Sequence, residues 1–131
     1  MTHKKEEPML AKDIMNTNVI TAKADASISD VAKIMTEHHI SGTPIINEEG
    51  KLVGIVTERD LLLQSELIAS VTDIMTKEMI TISEDTPVDE ISALLLAYSI
   101  KRIVVTRDNE VIGIVSRQDI LKSKIKQGCY S

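Results

Sequence analysis

Apolar and polar positions alternate along this chain in two registers that recur in the same order. Val19-Ile20-Thr21 and Met79-Ile80-Thr81-Ile82 are short β-prone runs and predict strands. Ile28, Val31, Ala32 and Met35 recur at helical spacing, as do Val88, Ile91, Leu95 and Tyr98, so each set predicts a helix with one apolar face. Ser27 with Asp30, and Thr86 with Asp89, have the spacing of capping boxes, and Pro87 falls in a first helical turn, where its missing N–H does no harm. Two hairpins follow: Pro44 to Asn47 with Lys51 to Val56, and Arg102 to Thr106 with Glu110 to Val115. Gly50 and Asn109 give their turns the required backbone freedom. A closing helix begins at Thr57 or Ser116, and the second runs through Lys122, Lys124 and Lys126, cations suited to a helix C-terminus.

The recurrence is an internal duplication. Asp13-Ile14-Met15 returns as Asp73-Ile74-Met75, Ile20-Thr21 as Ile80-Thr81, and Ile40 as Ile100; past the hairpin, Gly54-Ile55-Val56 returns as Gly113-Ile114-Val115 and Asp60 as Asp119. The spacing shortens by one residue in the turn, where Glu48-Glu49-Gly50 faces Asp108-Asn109. This gives a polar tail at 1–10, repeats at 11–63 and 71–122, a connector at 64–70 and a helix end with tail at 123–131. Each repeat reads β-α-β-β-α. Units this small cannot bury enough apolar surface alone, so the expectation is an α/β (α+β) fold in which two repeats share a core with pseudo-twofold symmetry.

The closing segments, Gly54 to Asp60 and Gly113 to Asp119, each run from an apolar strand to a hydroxyl residue with a carboxylate three places on. Two readings stand. Thr57/Asp60 and Ser116/Asp119 are capping boxes and nothing more, or they form ligand seats. In the second reading the helix N-terminus offers N–H donors to a phosphate, and the carboxylate accepts ribose hydroxyls, as an acidic residue does in dinucleotide folds.

Composition narrows the function classes. The chain has 131 residues, 43% apolar, with a net charge of −5, which argues against binding a phosphate polymer. Aromatics amount to 2% (Tyr98 and Tyr130), too few for base-stacking platforms. A lone Cys129 permits no internal disulfide, which fits a reducing compartment, and the polar start and absence of long apolar runs fit a cytoplasmic protein without a membrane span.

In these marks the sequence resembles a tandem pair of CBS domains, a Bateman module. The resemblance covers Ala11 to Leu121 and rests on Asp-Ile-Met opening each repeat, the apolar-apolar-Thr strand, Ile40-Ser41-Gly42-Thr43-Pro44 before the hairpin, and Gly-x-Val-(Thr/Ser)-x-x-Asp closing each repeat. It implies adenosine-containing ligands (AMP, ADP, ATP or S-adenosylmethionine) held in two clefts between the repeats, dimer assembly, and a role as an energy or metabolite sensor. Carried over, the first cleft draws on Ile20, Thr21, Ala22, Ser41, Gly42, Thr43, Pro44, Thr57, Arg59 and Asp60. The second draws on Ile80, Thr81, Ile82, Lys101, Arg102, Ile103, Ser116, Arg117 and Asp119. Repeat 2 departs from the small residues usual before the hairpin, carrying Lys101-Arg102 in place of Ser41-Gly42. Arginine forks match phosphate oxygens, so the second cleft is expected to prefer AMP, ADP or ATP, and the first to take a less charged adenosine or stay empty.

Other candidates are weaker. His38-His39 are adjacent, so on a helix they diverge, and no metal site is expected there. Met15, Met35 and Met75 read as core filler. No arrangement for nucleophilic or acid–base catalysis is visible. The expectation is a stand-alone regulatory module, not an enzyme, that forms a homodimer and signals to an effector protein. The alternative is a ligand-free interaction module acting through dimerisation.

Overall fold

The computed structural model describes residues 8–64 and 70–126. The fold is α+β, with two three-stranded sheets and their helices. Its compact units do not follow the repeat boundaries. Of the described residues, 19–64, 70–80 and 108–111 make one unit, and 8–18, 81–107 and 112–126 make the other. Each unit therefore holds the body of one repeat and the Asp-Ile-Met lead-in of the other.

In the first unit, β1 (Ala22–Lys23) runs parallel to β2 (Gly42–Ile46), which pairs antiparallel with β3 (Leu52–Thr57). The register shifts between Ile45 and Ile46, next to the longer turn at Gly50 (φ 80°). Helix α2 (Ile28–His38) buries Ile28, Val31 and Met35 against Ala22, Ile45 and Val56. Its opening is capped as expected: Asp30 N donates to Ser27 Oγ at 3.0 Å, and Ser27 N to Asp30 Oδ2 at 3.4 Å. It ends at His39, whose backbone is left-handed (φ 53°), with Ile40 N bonding back to Met35 O. The lead-in enters as a 3₁₀ turn (Val71–Asp73), with Val71 fully buried, and Thr76 pairs with Ile55 through both backbone groups. The 108–109 turn also meets β3: Leu52 N donates to Asn109 O (2.9 Å) and Lys51 Nζ to Asp108 O (2.8 Å).

The second unit repeats the plan. Its sheet order is β4 (Thr81–Ile82), β5 (Arg102–Arg107) and β6 (Glu110–Ser116, of which 112–116 lie in this unit). Helix α4 (Val88–Ala97) buries Val88, Ile91 and Leu95, the same stripe as in α2. The lead-in is α1 (Ala11–Ile14), and Asn16 pairs with Ile114 as Thr76 does with Ile55. The closing helix α5 (Arg117–Lys126) follows Ser116, whereas its counterpart α3 (Glu58–Leu62) is half as long.

Several expectations shift. Val19–Thr21, Met79 and Ile80 precede the strands, because only two residue pairs join each first strand to its neighbour. The Thr86/Asp89 box does not form. Pro87 is the N-cap of α4 and offers no side-chain acceptor, while Thr86 Oγ1 accepts instead from Ser83 N at 3.1 Å. Tyr98 lies past the end of α4 and is 58% exposed, so it leaves the apolar face that Val88, Ile91 and Leu95 share. Asp108 joins Asn109 in left-handed backbone (φ 52° and 62°), a two-residue turn of the kind that suits hairpins. Cys129, Tyr130, the first seven residues of the N-terminal tail and most of the connector lie outside the described residues.

Candidate functional site

The strand-to-helix exits are where sequence and geometry converge. At the end of β3, Asp60 Oδ2 accepts from Thr57 N (2.9 Å) and Thr57 Oγ1 (3.0 Å), and Asp60 N donates to Thr57 Oγ1 (3.2 Å). Antiparallel register sets Gly42 opposite Thr57, and Glu58 N donates to Ser41 O at 3.0 Å. Thus Ser41, Gly42, Thr57 and Asp60 come together at one end of the sheet, and both Thr57 and Asp60 are half-buried. Arg59 is exposed on α3.

The remaining expected residues of this unit divide. Ala22, Thr43 and Pro44 are buried. Thr43 pairs with Val56 in a strand whose next same-face residue is Ile45, and its Oγ1 has no hydrogen-bond partner among the described residues. The residue is fully buried, and its side chain belongs to the interior. Ile20 and Thr21 are half-buried ahead of β1, and no described hydrogen bond joins them to the Thr57–Asp60 group.

The second unit has the same exit. Asp119 Oδ2 accepts from Ser116 N (2.8 Å) and Oγ (2.9 Å), and Asp119 N donates to Ser116 Oγ (3.2 Å). Arg117 N donates to Lys101 O at 3.1 Å, the counterpart of the Glu58–Ser41 bond, and Arg117 Nε to Ile100 O at 3.1 Å. That second bond anchors the guanidinium beside the exit. Lys101, Arg102 and Arg117 are exposed, so this end of the sheet is basic. Ile82 and Ile103 are core residues, and Thr81 is exposed opposite Val104. Ile80 falls in the other unit.

Two features went unread in the sequence. The first is the purpose of the repeated glycine and methionine. A Cβ on Gly54 would lie 2.5 Å from Met75 Sδ and 3.2 Å from Thr76 O; one on Gly113 would lie 2.5 Å from Met15 Sδ and 3.1 Å from Met15 Cβ. The glycines are seats for the lead-in methionines, and the duplication of both partners at matched spacing was the available signal. The second is Thr76, the residue after the lead-in methionine, whose Oγ1 reaches Asp60 Oδ2 at 3.3 Å and Oδ1 at 3.4 Å.

Chemically, each exit presents a carboxylate with Oδ2 engaged in the cap and Oδ1 outside it. Such a group accepts hydrogen bonds from neighbouring hydroxyls. Among the described residues, no group of three or more His, Cys, Asp or Glu is placed to hold a metal ion, and no helix is long and apolar enough to cross a membrane.

A duplicated β-α-β-β-α body with a capped strand-to-helix exit in each copy defines a tandem-repeat protein with two corresponding candidate sites. The chain belongs to the CBS domain family, which residues 11–66 and 71–126 each match. It is 41% identical over 115 residues to L-aspartate semialdehyde sulfurtransferase of Methanocaldococcus jannaschii, covering 85% of this chain and 22% of that protein. It is 32% identical over 123 residues to inosine-5′-monophosphate dehydrogenase of the same organism, covering 93% of this chain and 25% of the enzyme. The chain therefore spans about a quarter of these relatives, and the likeness is confined to that region. Among solved structures, a CBS domain pair in complex with 5′-methylthioadenosine and S-adenosyl-L-methionine superposes with a TM-score of 0.81 at 38% identity, covering 95% of this chain and all of the other. A CBS protein solved with AMP superposes at 0.84 over 91% of this chain and 98% of its own, but at 23% identity it speaks to the fold alone.

Proposed function

We propose that this chain is a regulatory module whose two strand-to-helix exits bind adenosine-containing ligands, with Asp60 and Asp119 accepting ribose hydroxyls. The observation that carries this reading is the duplicated hydroxyl–carboxylate exit, in which Oδ1 of each aspartate lies outside the cap. The solved CBS pair that resembles it at 38% identity holds two adenosine compounds, both bearing a ribose diol. Backbone near Thr21, Thr43 and Ile103 would frame the base.

The exits are not equivalent. Lys101, Arg102 and Arg117 favour a phosphorylated ligand such as AMP, ADP or ATP in the second unit, where α5 has ten residues and the larger N-terminal dipole. The first unit, with Arg59 and the five-residue α3, suits an adenosine without phosphate, such as methylthioadenosine or S-adenosylmethionine. The module would act in the cytoplasm as a homodimer, reporting ligand levels to an effector protein through differential affinity for two arrangements.

A thermal-shift screen of adenosine compounds tests the reading. A ligand at one hundred times its dissociation constant adds about 2.7 kcal/mol of stability. No shift with AMP, methylthioadenosine or S-adenosylmethionine would leave the alternative, an interaction module working through dimerisation. The exposed Leu96, Tyr98, Leu121 and Ile125 favour that second reading. Mass spectrometry of molecules released from the purified protein would identify the ligand.

A further inference from the structure

The residue after each lead-in methionine differs between the two units, and in the first it lies beside the proposed ribose acceptor. In the first unit Thr76 is held against β3 by backbone bonds with Ile55, and its hydroxyl hydrogen is shared between the two oxygens of Asp60. In the second unit the equivalent residue is Asn16, held against Ile114 by the same backbone bonds. Its side chain is engaged locally: Asn16 Oδ1 accepts from Asn18 N at 3.0 Å. Among the described residues, the side-chain hydrogen bonds of Asp119 are those of its own cap, on Oδ2. Hence one carboxylate already has a hydroxyl where a ribose would present one, and the other does not.

We infer that Thr76 is a specificity-determining residue that competes with the ribose diol for Asp60, while Asn16 leaves Asp119 open to it. This rests on the proposed binding reading and adds to it a difference in diol capture that charge alone does not supply. A ligand entering the first unit must displace the Thr76 hydroxyl, whose long bonds mark a weak contact. Thr76 lies in the lead-in that also carries Met75 onto Gly54, so the displacement touches the segment by which repeat 2 packs on the body of repeat 1.

The test is calorimetric titration of AMP into the full chain carrying Asp119→Asn, which confines diol capture to the first unit. Adding Thr76→Val removes the hydroxyl and keeps the shape. Affinity should rise about two- to tenfold, the worth of one net hydrogen bond, and 2′,3′-dideoxy-AMP should show no gain. The reciprocal variant, Asn16→Thr in an Asp60→Asn chain, should weaken AMP binding by a similar factor. If AMP binds but Thr76→Val leaves its affinity unchanged or lowers it, the inference is overturned and the binding reading stands. If the unsubstituted chain binds neither AMP nor methylthioadenosine, both fall together.

Discussion

Gly54 and Gly113 show what a single residue contributes. Both lie where a methionine from the other repeat's lead-in lies across a strand, and a methyl group there would overlap its sulfur. Gly54→Ala and Gly113→Ala are each expected to destabilise the protein by about 1–3 kcal/mol, the usual cost of overpacking. Denaturant melts would show it, and a double-mutant cycle with Met75→Ala should reveal coupling at Gly54 but none at Gly113. Thr43 predicts the opposite sign. Its buried Oγ1 lacks a partner among the described residues, so Thr43→Val should leave stability unchanged or raise it by about 1 kcal/mol. A loss above that would show that the hydroxyl has a role. The resemblance carried Thr43 over as a site residue with the segment before the hairpin, but strand alternation turns its side chain inward with Ile45.

At the scale of elements, the helix stripes were legible and the caps only partly so. Ile28, Val31 and Met35 match Val88, Ile91 and Leu95 because burial imposes the same three- and four-residue spacing on both copies. The misread cap has a local cause. Pro87 stands where the duplication puts Ser27, so α4 begins on a residue without a side-chain acceptor, and Thr86 is drawn into the preceding turn by Ser83. Asp30→Ala should therefore cost about 1 kcal/mol more than Asp89→Ala, which breaks no box. Equal losses in urea melts would contradict that assignment. The two-residue first strands were misplaced for another reason: with so few pairs, their ends depend on the partner strand and not on local β propensity.

For the whole molecule, the linear order of the repeats concealed the exchange of lead-ins. The repeat marks were readable, yet nothing in their order says that Asp73-Ile74-Met75 packs with the body of repeat 1. A consequence follows for fragments. Residues 19–80 hold β1 to β3, α2, α3 and the lead-in that pairs with Ile55, whereas 1–63 lack Val71, Met75 and Thr76. The first fragment should keep more helix by circular dichroism than the second, and the reverse result would contradict the exchanged arrangement. The exits themselves were legible to the residue, because capping and ligand seating require the same hydroxyl and carboxylate at the same spacing. That coincidence is why sequence left the two readings open. The structure shows the cap formed in both copies, with one carboxylate oxygen of each outside it. Titrating AMP into the full chain and into the Asp60→Asn/Asp119→Asn variant addresses the outer oxygens directly. Asparagine keeps one acceptor for the cap and presents an amide where the ribose would bind, so affinity should fall at least about tenfold, given 1.5–3 kcal/mol for a hydrogen bond to a charged group. Equal affinity in both proteins would contradict ribose recognition at these sites.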